Sequence, residues 1–282
     1  VWLVIGGGAL FAGFPVVYAS LFSGMYIPFM LFLMFLIFRA ISIEFRSKEE
    51  MKWWRTMWDI NYSVSSTMLA FLLGVVLGNV LIGLEIGPRG NFQGHWLEFL
   101  NPYALLVGLT TLALFTTHGA LYLLMKTEGK LYEKLSRLAR RGIIFFIITF
   151  TLVTLYTLIY IPHLRDRFEE LPWLFAVPVL AFLAIANVPR QISKRNYRNA
   201  FIFSGISISM LLIVVAIELY PVMLLSTIDE AYNITIYNAA SSMKSLGIML
   251  TIAAIGTPLV IAYTVFVFWT FRGKVELDET SY

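Results

Sequence analysis

Apolar runs of about 20 residues recur along this 282-residue chain, separated by short loops that carry most of its charge. That alternation leaves few folds open. A bilayer core roughly 30 Å thick is crossed by about 20 residues of helix, so each run reads as one membrane span. The first two lie in Val1 to Lys48, meet at Phe22-Ser23-Gly24-Met25, and end in Arg39, Glu44, Arg46 and Lys48. They predict a hairpin of two spanning helices. Gly6, Gly7, Gly8, Ala9, Ala12 and Gly13 form a small-residue seam on the first of them, which would let another helix approach closely.

Six further spans follow. They run from about Trp58 to Ile82, Tyr103 to Met125, Gly142 to Ile161, Leu171 to Val188, Ala200 to Tyr220 and Leu246 to Phe271. Pro172 falls in the first turn of its helix, where proline is tolerated, whereas Pro178 further in predicts a kink. Lys126 to Arg141 has Leu131, Leu135 and Leu138 between charges, the pattern of a short amphipathic helix on the membrane surface. The fold class is therefore all-α: a polytopic membrane protein with eight transmembrane helices present. Composition agrees, with 59% hydrophobic residues, 13% charged residues and a mean hydropathy of +0.78.

The formal net charge of +4 does not indicate nucleic-acid binding, because the cations sit in loops where they set orientation. Arg46, Lys48, Lys52, Arg55, Lys126, Lys130, Lys134, Arg137, Arg140, Arg141, Arg190, Lys194, Arg195, Arg198, Arg272 and Lys274 fall on one side. Only Arg89, Arg165, Arg167 and Lys244 fall on the other, and Arg39 lies within a span. Such asymmetry puts the even-numbered loops and the C-terminus in the cytoplasm. There are no cysteines, so disulfides, iron-sulfur clusters and thiolate metal sites are excluded. Metal chemistry would have to rest on His95, His118, His163 and carboxylates.

Few residues could carry chemistry. Arg39 either snorkels to the headgroups or faces the bundle interior opposite a carboxylate or an anionic cofactor group. His118 is the one histidine inside a span; packing through a hydrogen bond explains it, and a haem, metal or proton-relay role is the alternative, although no second ligand stands at i+3 or i+4. Asp59 follows Trp53, Trp54 and Trp58 and is explained by the helix dipole of a first turn, or else opens a proton path. Glu218, before Tyr220-Pro221, reads as an interfacial carboxylate. Asn238 and Ser241-Ser242 lead into the last helix, where the serines read as caps. The sequence shows no Walker loop, dinucleotide fingerprint, zinc-protease pair or serine-hydrolase elbow.

VWLVIGGGALFAGFPVVYASLFSGMY, FRAISIEFRSK with WWRTMWD after it, THGALYLLMKTEG, and TIYNAASSMKSLGIMLTIAAIGTPLVIAYTVFVFWTFRGKV together resemble subunit II of the cytochrome bd-type quinol oxidases. The resemblance covers nearly the whole chain, in the family's order. It implies a subunit without haem ligands of its own, in a heterodimer of the prokaryotic inner membrane that oxidises quinol and reduces O2 to water. Haems b558, b595 and d would lie in subunit I. Protons would be taken from the cytoplasm and released outside, with Asp59 and His118 as candidates for a proton path and Arg39 near a haem or a buried acid. A small accessory subunit, membrane lipids and the quinone pool are further expected partners.

The family has nine spans, arranged as two four-helix bundles plus a peripheral helix. In a single membrane domain, 1–282, residues 1–125 would hold the remainder of the first bundle and the start of the second, and 126–282 the second bundle and the C-terminal helix. The family also has a helix upstream and a Trp-Asp-Gly-Asn run before the Val-Trp-Leu that opens this chain. Since Val1 already lies within a helix and no initiator methionine precedes it, the chain is read as N-terminally incomplete. A multi-span transporter is the competing reading, and the shortage of polar residues at mid-membrane depth speaks against it.

Overall fold

The computed structural model describes residues 2–161 and 163–274, apart from the side chains of Leu3 and residues 165–167. Ten α-helices follow one another: α1 (Trp2–Gly13), α2 (Pro15–Gly24), α3 (Tyr26–Arg46), α4 (Lys52–Ile82), α5 (Pro102–Lys126), α6 (Gly129–Tyr160), α7 (His163–Glu170), α8 (Ala176–Ser193), α9 (Tyr197–Leu219) and α10 (Met243–Thr270). Among the described residues seven helices are long and apolar enough to cross a membrane, or eight if α1 and α2 count as one span. The chain divides into two compact units.

One unit comprises 25–82 and 95–218. Its core joins α5, α6, α8 and α9 through Leu121, Leu124, Leu135, Ala139, Phe146, Ile185, Val188 and Ala200. Close backbone approach sets α4 on α5: a Cβ on Gly78 would lie 2.6 Å from the Cα of Ala104, and one on Gly74 would lie 2.7 Å from the Cα of Gly108. These small residues substitute for hydrophobic driving force, which lipid does not supply between helices. At the end of α4, Asn79 Nδ2 donates to the carbonyls of Val75 (2.8 Å) and Phe99 (3.0 Å), and Asn101 Nδ2 donates to Asn79 Oδ1 (2.9 Å). Asn101 also caps α5, accepting from the amide of Ala104 at 2.8 Å. Buried amide groups are thus paired where the helix ladder stops.

The other unit holds 1–24, 83–94 and 219–274. A small antiparallel ribbon, β1 (Val222–Leu224) with β2 (Ile234–Thr235), is joined to the 83–94 loop by Leu84 N donating to Leu225 O (2.9 Å) and Thr227 N to Leu84 O (3.0 Å). Ser20 of α2 donates to Gly90 O at 2.7 Å. Gly90 itself has φ +79 with Ser20 Oγ 2.7 Å from where its Cβ would be, so glycine is required there on both counts.

Four expectations change here. The first apolar run is two helices bent by 116° at Phe14, not one straight span; Pro15 has no N–H with which to continue the ladder. At that break Ser241 donates from its amide to Gly13 O (2.8 Å) and from its hydroxyl to Ala12 O (2.6 Å), so Ser242 alone caps α10 and Ser241 closes α1. Lys126 to Arg141 is no separate surface helix, since α6 runs unbroken from Gly129 to Tyr160. Pro178 lies in the first turn of α8, where it needs no kink, while Pro189 is the proline inside that helix. The small-residue seam does meet another helix at Gly13, which faces Met249 and Leu246 of α10, whereas Gly6, Gly7 and Gly8 have nothing within 4 Å; Gly74 and Gly78 face α5.

Candidate functional site

The polar residues of the chain gather between α3 and α4. On α3, Arg39, Ser42 and Arg46 recur at i, i+3 and i+7 and so share one face; on α4, Trp58, Tyr62, Ser65 and Ser66 do the same. Arg46 Nε donates to Asp59 Oδ1 at 2.6 Å and Nη2 to Oδ2 at 3.4 Å. Because the two side chains are 42% and 54% exposed, this pair contributes only about 0–1 kcal/mol and acts mainly to orient the carboxylate. Deeper in, Asn61 Nδ2 donates to Ser42 Oγ at 2.8 Å, and the guanidinium of Arg39 lies 5.5 Å from the centre of the Tyr62 ring. Trp54 Nε1 donates to Phe45 O at 2.7 Å, closing the end of α3, and the rings of Phe45 and Trp54 pack on Trp58.

A cleft of about 330 Å³ opens at this end, lined by Ser42, Ile43, Glu44, Arg46, Ser47, Trp58, Asp59 and Tyr62. The indole N–H of Trp58 and the hydroxyls of Ser65 and Ser66 are buried and find no hydrogen-bond partner among the described residues. Burying such groups dry costs about 1–3 kcal/mol each, so these three atoms point to a wetted interior.

Arg39 and Asp59 therefore belong to one hairpin, and His118 does not line the cleft. Asp59 is the eighth residue of α4, two turns past its start, so a first-turn dipole does not explain it; Arg46 does. His118 sits on α5, its ring stacked on Phe201 of α9 at 4.4 Å and its Nδ1 2.6 Å from Ser204 Oγ. Ser204 has one hydroxyl hydrogen, which reaches Phe201 O at 2.9 Å. The short contact then takes its hydrogen from Nδ1, leaving Nε2 as the acceptor. Glu218 is half-buried on α9, and the hydroxyl of the buried Tyr103 on α5 is 2.9 Å from Thr157 Oγ1.

Sequence reasoning passed over Arg46, Ser42, Asn61, Tyr62 and Ser204. The i, i+3, i+7 recurrence of Arg39, Ser42 and Arg46 was the available signal for the first group. Nothing in the sequence tied Ser204 to His118, which is 86 positions away.

Among the described residues no cluster of three or more His, Asp or Glu could hold a metal. One ring nitrogen of each histidine is engaged within the chain: His163 Nε2 with Leu81 O at 3.0 Å, Nδ1 of exposed His95 with the amide of Leu97 at 3.3 Å, and His118 Nδ1 with Ser204 Oγ at 2.6 Å.

The family model described as Cytochrome bd terminal oxidase subunit II matches residues 1–271. Similar proteins include Cytochrome bd ubiquinol oxidase subunit 2 of Bacillus subtilis, 30% identical over 99% of this chain and 82% of that protein. Cytochrome bd-I ubiquinol oxidase subunit 2 of Escherichia coli is 28% identical over the same shares. The solved structure of bd oxidase from Geobacillus thermodenitrificans shares the fold with a TM-score of 0.70, at 17% identity over 95% of this chain and 80% of that one.

Proposed function

This chain belongs to the cytochrome bd terminal oxidase subunit II family, and from that premise we propose that it leads protons from the cytoplasm through the α3–α4 cleft toward an oxygen-reducing centre in its partner. It is one subunit of a haem-bearing quinol oxidase of the bacterial inner membrane, which sets the transporter reading aside. Haems b558, b595 and d are assigned to subunit I, as the resemblance to the family implies. When bound there, the haems supply electron transfer and O2 chemistry. Reducing O2 to water consumes as many protons as electrons, and this chain's own residues serve that demand.

The observation that carries the reading is the cleft lined by Trp58, whose buried indole N–H finds no partner among the described residues, with the likewise unpartnered hydroxyls of Ser65 and Ser66 about two turns further along α4. It lies at the Lys/Arg-rich end of α3 and α4, the end that the charge asymmetry puts in the cytoplasm together with the C-terminus. Asp59, oriented by Arg46, takes up a proton at the mouth. Ser42, Asn61, Ser65 and Ser66 continue the polar line inward. Arg39, over the ring of Tyr62, stands beside this line, where the resemblance places an arginine near a haem or a buried acid.

The complex purified through a tag on this chain provides the test. Haem bands in its reduced-minus-oxidised spectrum are expected, and a colourless preparation overturns the assignment of haems to a tightly bound partner. Asp59→Asn is expected to lower O2-reduction turnover severalfold while leaving that spectrum unchanged. Unaltered turnover would remove Asp59 from the path.

A further inference from the structure

The outward face of α6 changes character at a single level. Lys130, Lys134, Arg137 and Arg141 follow one another at steps of four, three and four residues, and all four are exposed. The same line continues as Ile144, Ile148, Leu152, Leu155 and Ile159, also exposed. At 100° per residue these nine positions form one stripe, opposite the buried Leu135, Ala139, Ile143 and Phe146. Because α6 is continuous, the cations stand directly above the apolar stripe on the same rod.

We infer that this face is a binding site for an anionic phospholipid, with the headgroup phosphate between Arg137 and Arg141 and an acyl chain along Ile144, Ile148 and Leu152. Arg137 and Arg141 are about 6 Å apart along the axis, close enough to share one phosphate, and Lys134 and Lys130 extend the positive field about 16 Å from Arg141. None of the four is ion-paired among the described residues; Glu133, the carboxylate of this stretch, forms no ion pair there either.

A protein helix is the less fitting occupant. Where helices of this chain meet closely, the contact is made at glycine, as at Gly74 and Gly78 of α4 and Gly142 of α6. The outward stripe has only branched aliphatic residues, which suit lipid chains and hold a second helix away.

The purified oxidase complex is exchanged into nanodiscs of phosphatidylcholine containing a small fraction of phosphatidylglycerol, and the retained lipid is counted by native mass spectrometry. Preferential retention of phosphatidylglycerol is expected. Arg137→Gln/Arg141→Gln should weaken it about 20-fold, whereas Arg190→Gln/Lys194→Gln, which removes equal charge from α8 and the turn after it, should leave it unchanged. An equal fall in both variants means diffuse surface charge, and equal retention of the two lipids means no headgroup recognition; either overturns the proposal. Displacement by millimolar inorganic phosphate would assign the site to free phosphate and overturn it too. Should the α6 variant not assemble, raising NaCl on the unaltered complex decides: retention that does not fall removes the phosphate contact.

Discussion

Gly78→Ala provides a sharp test of how α4 and α5 are held together. The added methyl would lie 2.6 Å from the Cα of Ala104 and 3.2 Å from the Cβ atoms of Ala104 and Val107. The closest of these is backbone and cannot rotate away, so the helices must separate locally by about 0.8 Å to reach ordinary contact. Such overpacking costs about 1–3 kcal/mol. Alanine also favours a helix over glycine by about 1 kcal/mol, which offsets part of that cost. The net expectation is a loss of about 0–2 kcal/mol, and Gly78→Leu, with more atoms in the same place, should lose clearly more. The control is Gly8→Ala, where nothing lies within 4 Å and only the helix-propensity gain remains. Thermal unfolding of the detergent-solubilised complex reads the difference, at about 2–4 °C per kcal/mol for a chain approaching this size. If Gly78→Ala stabilises as much as Gly8→Ala does, the close approach of α4 to α5 is refuted.

Other expectations follow from single contacts. Ser204→Ala leaves His118 Nδ1 without its partner and should cost about 1–3 kcal/mol of stability in the same melt; no change would mean the histidine repacks freely. Asn101→Ala removes the cap of α5 and one partner of Asn79, and a loss of about 1–2 kcal/mol is expected. Arg46→Ala should change stability by less than about 1 kcal/mol, since the pair with Asp59 is half exposed, yet slow turnover by disorienting Asp59. Gly13→Leu should drive α10 from α1, because Met249 Cε lies 3.3 Å from where a Cβ would sit; faster hydrogen exchange at the amide of Ser241, which donates to Gly13 O, would report it.

The sequence by itself determined the membrane, the approximate limits of seven long spans and the family. Those properties come from runs of one character about 20 residues long, and from long blocks of residues in order, which need no knowledge of what touches what. Tertiary structure decided the bend at Phe14: Pro15 cannot bond the carbonyl of Phe11, and the carbonyl of Ala12 that the bend frees is taken by Ser241, 229 positions away. It decided that Gly74 and Gly78 face α5, since a glycine records that something comes close without saying what does. It also turned Asp59 from a first-turn acid into the partner of Arg46, and gave His118 its serine. The physical reason is common to all four: hydrophobic periodicity is a property of one helix, whereas packing and hydrogen bonds belong to two, and the second helix can come from anywhere in the chain.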